Sequence, residues 1–81
     1  MNTIIIDIRD DTSYTKGHLP GAIHISATNL YLHPEKYLNH DTKYSFYCHS
    51  GHQSKLLVTY LNMLGYHCVN IDGGYFKNLL Q

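Results

Sequence analysis

Tryptophan is absent from this 81-residue chain, and arginine occurs once, at Arg9. Six basic and six acidic side chains cancel. A nucleic-acid footprint needs clustered Lys and Arg, so no nucleic-acid partner is expected. Cysteine is scarce as well: Cys48 and Cys68 are too few for a disulfide scaffold. The N-terminal stretch Met1-Asn2-Thr3-Ile4-Ile5-Ile6-Asp7 holds only three apolar residues in a row and no basic segment. That is too short for a signal peptide or a membrane span. The expectation is a soluble cytoplasmic protein with reduced thiols and no membrane partner. What is present is an ordinary apolar fraction, 43%, enough for a single modest core, and one domain over residues 1–81 is expected. Seven histidines make the net charge sensitive to mild acid.

Strand and helix patterns alternate along the chain. Thr3 to Ile8 is β-branched and apolar and reads as a buried strand. Asp10-Asp11-Thr12-Ser13 offers capping side chains for a short helix to about Lys16. Gly17-His18-Leu19-Pro20-Gly21 breaks it, and Ala22 to Ile25 forms a short strand. Ser26 to Leu38 reads as two helical pieces, the second started by Pro34. Lys43 to Tyr47 is the central strand. In the helix Gln53 to Leu64, Leu57, Leu61 and Leu64 fall on one stripe with Val58 beside it, and Gly65 is the stop. His67 to Ile71 is a strand, Asp72-Gly73-Gly74 a turn, and Tyr75 to Leu80 a final helix. The pattern predicts an α/β fold: a small, mostly parallel sheet with helices on both faces.

Chemistry concentrates at Cys48-His49-Ser50-Gly51-His52-Gln53-Ser54. This stretch joins the central strand to the helix that follows. A thiol there faces unpaired backbone N–H groups and the positive end of a helix dipole. That field favours the thiolate, the reactive form. Gly51 permits the tight turn an anion-binding nest needs, and the loop N–H groups from His49 to Ser54 would form it. Ligands of open parallel sheets also bind beyond the strands' carboxyl ends.

These residues carry a resemblance. Ile6-Asp7-Ile8-Arg9-Asp10 followed by Gly17-His18-Leu19-Pro20-Gly21-Ala22-Ile23 resembles the N-terminal signature of rhodanese-like domains. The Cys48 to Ser54 stretch resembles their active-site loop, C-x-x-G-x-R-S. Leu64-Gly65-Tyr66, Val69 and Gly73-Gly74 are similar to their C-terminal signature. The resemblance implies a parallel sheet flanked by helices and a sulfurtransferase whose cysteine carries sulfane sulfur as a persulfide. Cys48 is then the catalytic nucleophile, with His49, Ser50, Gly51, His52, Gln53 and Ser54 binding the substrate. The implied partners are a small-molecule or protein sulfane-sulfur donor and a thiol acceptor. No cofactor or metal is called for, and the oligomeric state is left open. Asp7 and Arg9 are expected to pin neighbouring loops by hydrogen bonds.

Two departures stand out. The family's loop arginine falls on Gln53, and the tryptophan often found after the glycine pair falls on Asn78. Arginine can hold an oxyanion by two parallel charged hydrogen bonds, whereas glutamine is neutral. Thiosulfate activity is therefore doubtful, and polysulfide or organic persulfide donors are expected to serve better. The alternative is a non-catalytic rhodanese-homology module that binds a partner. Cys48, His49 and His52 are zinc-ligand types, but adjacent residues seldom ligate one ion together. A cysteine phosphatase would need an arginine six positions after the cysteine, where this chain has Ser54. His49 and His52 are either solvated loop residues or partial replacements for the missing arginine charge. Cys68 is expected to be a core residue, the alternative being a resolving thiol.

Overall fold

The structure is a computed structural model that describes residues 3–79. Four strands form one parallel sheet in the order β2-β1-β3-β4: β1 Ile4–Asp7, β2 Ile23–His24, β3 Lys43–Tyr47 and β4 His67–Asn70. The helices are α1 Asp11–Lys16, α2 Ala27–Leu32, α3 His52–Met63 and α4 Gly74–Leu79, with a 3₁₀ turn at Pro34–Lys36. The expected α/β parallel architecture is what forms.

Local chemistry explains the boundaries. Asp10 caps α1 by accepting the Ser13 N–H, and Ser26 caps α2 by accepting the Asn29 N–H. Pro34 opens the 3₁₀ turn, where its missing N–H costs nothing. Gly65, at φ 95°, stops α3.

Right-handed crossovers decide where the helices lie. The chain moves from β1 outward to β2, then back across β1 to β3 and on to β4. The first step runs opposite to the later two, so α1 lies on one face and α2 and α3 on the other. The core follows that division. Ile6, Ile8, Tyr44, Phe46, Cys48 and Cys68 point from the sheet toward Leu30 of α2 and Leu57, Val58 and Leu61 of α3. The alternate residues Asp7 and Tyr47 occupy the opposite face and are fully buried.

One expected core residue falls outside the stripe. Leu64 is 45% exposed, while Leu57 and Leu61 are fully buried. The last turn of α3 tightens, with Leu64 N–H on Leu61 O at 3.1 Å and Gly65 N–H on Asn62 O at 3.0 Å. Each residue of a 3₁₀ turn rotates further than in an α-helix. Leu64, the C-cap, is thereby carried off the core side.

Among the described residues, no helix is long and apolar enough to cross a membrane.

Candidate active site

The connections leave β1 and β3 in opposite directions, so the carboxyl ends of these two central strands form the topological switch point where open α/β sheets place their ligands. Asp7 ends β1, and Cys48 follows directly on β3.

Cys48 is 3% exposed. Its Sγ accepts the Gly51 N–H at 3.2 Å and the Ser54 N–H at 3.4 Å. Gly51 is the N-cap of α3 and has no side chain to satisfy that turn. The sulfur takes the capping role, received by the N-cap and third-residue N–H groups. Burial alone would push the thiol up. Hydrogen bonds that the ionised sulfur would receive from the Ser54 hydroxyl and from the backbone N–H groups of Ser54, Gly51 and Ser50 outweigh it, and the thiol ionises below its ordinary value.

Two glycines make the loop geometrically possible. Gly51 sits at φ 95°, in the left-handed region, and a Cβ there would lie 3.0 Å from Gly73 N. Gly74 lies beneath the loop, where a Cβ would stand 2.6 Å from Cys48 O and 2.5 Å from His49 O. The absence of that atom lets the first turn of α4 dock on the loop, and Tyr75 N–H donates to Cys48 O at 2.8 Å.

Of the residues the sequence singles out, Ser54 and Gly51 meet the sulfur. Ser54 is fully buried, and its Oγ lies 3.5 Å from Cys48 Sγ. His49, Ser50, His52 and Gln53 are exposed. His49 stacks on Phe76 at 5.6 Å between ring centroids. The Ser50 hydroxyl accepts the His52 N–H at 3.5 Å. Gln53 faces a groove of about 410 Å³ between α2 and α3, lined also by Ala27, Thr28, Tyr31 and Leu56. A larger hollow, about 480 Å³, lies around Lys43, His67 and Cys68, at the strands' opposite end from Cys48. Among the described residues, no group of three His, Cys, Asp or Glu side chains is arranged to hold a metal ion.

Behind the loop, the only arginine pairs with a buried carboxylate. Arg9 Nη2 donates to Asp7 Oδ2 at 2.7 Å, and Nε reaches Asp7 Oδ1 and Oδ2 at 3.1 and 3.0 Å. Nη2 also donates to Gly17 O at 2.5 Å, and the guanidinium lies 3.9 Å from the Tyr75 ring centroid. The Tyr47 hydroxyl donates to Asp7 Oδ2 at 2.6 Å and accepts the Leu19 N–H at 3.0 Å. Burial works against ionisation of Asp7, but the Arg9 and Tyr47 hydrogen bonds win and hold its carboxyl below the usual range. Asp7 and Arg9 thus pin the loop 17–19 region to the sheet, as expected.

Sequence reasoning missed Tyr47, Tyr75 and Asn70. Tyr47 was legible as the opposite-face neighbour of Cys48. Asn70 was legible as a polar residue at a strand's carboxyl end. Its Oδ1 lies 2.5 Å from Ser54 Oγ, and its Nδ2 donates to Gly51 O at 3.2 Å and Asp72 Oδ1 at 3.0 Å. Cys68, expected in the core, is buried on the helix face of β4, and burial pushes its thiol up to about 11.

Comparison with known proteins places the fold in a family. The chain is 38% identical over 72 residues to the Bacillus subtilis protein named "Putative sulfurtransferase YtwF", covering 86% of this chain and 67% of that one. It is 40% identical over 62 residues to a tRNA sulfurtransferase of Pyrobaculum aerophilum, covering 76% of this chain but 13% of the relative. The crystal structure of SSP1007 from Staphylococcus saprophyticus superposes with a TM-score of 0.81 at 32% identity, over 89% of this chain and 71% of that one. Human single-domain sulfurtransferase TSTD1 shares the fold, with a TM-score of 0.81 at 19% identity, over 98% and 82% of the two chains. The family model for the rhodanese-like domain matches residues 1–79, and the chain belongs to that family.

Proposed function

We propose that this protein is a sulfane-sulfur carrier and transferase that works through a persulfide on Cys48. The observation that carries the reading is the seat of the sulfur, between the Gly51 and Ser54 N–H groups at 3.2 and 3.4 Å. Relatives named sulfurtransferases support it. The Cys48 thiolate attacks the outer sulfur of a persulfide, R–S–S⁻. A bond forms between Sγ and that sulfur, the donor's S–S bond breaks, and its electron pair leaves with R–S⁻. Cys48 then holds –S–S⁻. An acceptor thiolate attacks the terminal sulfur and restores Cys48. In this reading Gly51 and Ser54 hold the anion, and His49, Ser50, His52 and Gln53 form the rim that meets donor and acceptor.

Donor preference follows from charge. The stretch from Cys48 to Ser54 contains no lysine or arginine, and Arg9 is spent on Asp7. Thiosulfate, a dianion, finds only neutral dipoles at Gln53. An organic persulfide carries a single charge, and polysulfide spreads its two over the opposite ends of a sulfur chain, so both need less charge compensation at one point and are the preferred donors. The two unpaired thiols suit a reducing compartment such as the cytoplasm.

Intact mass after exposure to polysulfide tests the function. A gain of one sulfur atom, absent in Cys48→Ser, is the expected outcome. No gain would make the protein a rhodanese-homology binding module instead.

A further inference from the structure

The side-chain amide of Asn70 has only one sensible orientation. Two acceptors, Gly51 O at 3.2 Å and Asp72 Oδ1 at 3.0 Å, lie on one side of it. Turning the amide over would set its carbonyl oxygen against both and leave its N–H groups without them. The Nδ2 must face them, so Oδ1 must face Ser54 Oγ, 2.5 Å away. A carbonyl oxygen only accepts. The single Ser54 proton therefore lies on the Asn70 side, or on the weaker line to Gly51 O at 3.3 Å.

That leaves Ser54 presenting a lone pair to Cys48. The S–H donates to Ser54 Oγ over 3.5 Å, and the hydroxyl proton continues to Asn70. A negative sulfur needs the reverse arrangement. The hydroxyl must turn and donate to it, giving up the short bond to Asn70. The backbone N–H groups of Gly51 and Ser54 favour the anion without any such change.

Taking Cys48 as the reacting group, as proposed above, we infer that Asn70 is a positioning residue that directs the Ser54 hydroxyl away from the sulfur and so restrains the charge the loop will hold there. It reaches no reacting atom itself; it works through Ser54. The anionic group touching this cluster is Asp72, on the amide's far side. The Asp7–Arg9 pair faces the other side of the sheet, and His49 and His52 are exposed.

The test is the pH profile of Cys48 alkylation by iodoacetamide, followed by peptide mapping, with circular dichroism confirming the fold of each variant. Asn70→Leu removes the competing acceptor and should lower the midpoint by about half a unit to one unit, a three- to tenfold gain in thiolate fraction. Asn70→Ala removes the same acceptor without bulk and carries the same expectation. Asn70→Asp keeps an acceptor toward Ser54 and adds negative charge, so it should raise the midpoint. In a Ser54→Ala background the shift from Asn70→Leu should vanish. A merely structural role would move every Asn70 variant in the same direction. Unchanged or raised midpoints in Asn70→Leu and Asn70→Ala, or an equal shift without the Ser54 hydroxyl, would overturn the inference. Alkylation reports the thiolate whether or not sulfur is transferred, so this result and the persulfide mass test fail independently.

Discussion

Tyr47 and Asp7, forty positions apart, meet through a 2.6 Å hydrogen bond on the sheet face opposite Cys48. Tyr47 immediately precedes the cysteine in the chain, so strand alternation puts the anchor on one face and the thiol on the other. The position of the loop is thereby tied to a buried ion pair on the far face of the sheet.

Tyr47→Phe should cost about 1.5–3 kcal/mol, the usual loss for a hydrogen bond to a charged group. It should also shift acid unfolding. The Asp7 carboxyl is held below its ordinary value, so its contribution is present above about pH 4 and is lost as pH falls through the lower folded value. Weaker support for the carboxylate brings that loss to higher pH. An acid titration followed by circular dichroism should therefore show unfolding at higher pH in the variant. An unchanged midpoint would mean Arg9 alone sets the ionisation of Asp7.

The two thiols should separate cleanly by reactivity. Cys48 should alkylate with a midpoint below the ordinary thiol value of about 8.5. Cys68, which burial pushes to about 11, should stay silent across that range. Peptide mapping of partially alkylated protein distinguishes them. A Cys48 midpoint at or above the ordinary value would show that desolvation beats the N–H groups.

Gln53→Arg should raise thiosulfate turnover more than polysulfide turnover. Charge-assisted hydrogen bonds are roughly twice as strong as neutral ones, and about 1.4 kcal/mol is worth tenfold in rate. The measurement is kcat/KM for both donors in both proteins. Wild-type preference for thiosulfate, or equal gains on both donors, would refute the charge argument.

Leu61→Ala should cost on the order of 2–5 kcal/mol, because Leu61 is fully buried between α3 and the sheet. Leu64→Ala, at a half-exposed helix cap, should stay within about 0.5 kcal/mol. Urea midpoints of the two variants compare them directly. Similar losses would place Leu64 in the core after all.

Much of the architecture was legible along the chain because it depends on local chemistry. Pro34, Gly65 and the capping side chains Asp10 and Ser26 act within a few residues of themselves. The Lys43–Tyr47 strand and the Cys48 loop after it follow from patterning and from one small turn residue, Gly51. Leu64 shows where that logic ends: a stripe projected at an α-helical period assumes the helix continues, and a tightened final turn broke it. The rest belongs to tertiary structure. How the sole arginine was held depended on which residues stood beside it in space, and the Asp7 carboxylate and the Tyr75 ring hold it. Asn70 stood out only as a polar residue at a strand's carboxyl end; its partners were hidden, because Ser54 and Gly51 reach it only once β4 pairs with β3 and α3 folds back over them. Period and capping are set by neighbours in sequence; the partners of buried polar groups are set by the crossings of the chain.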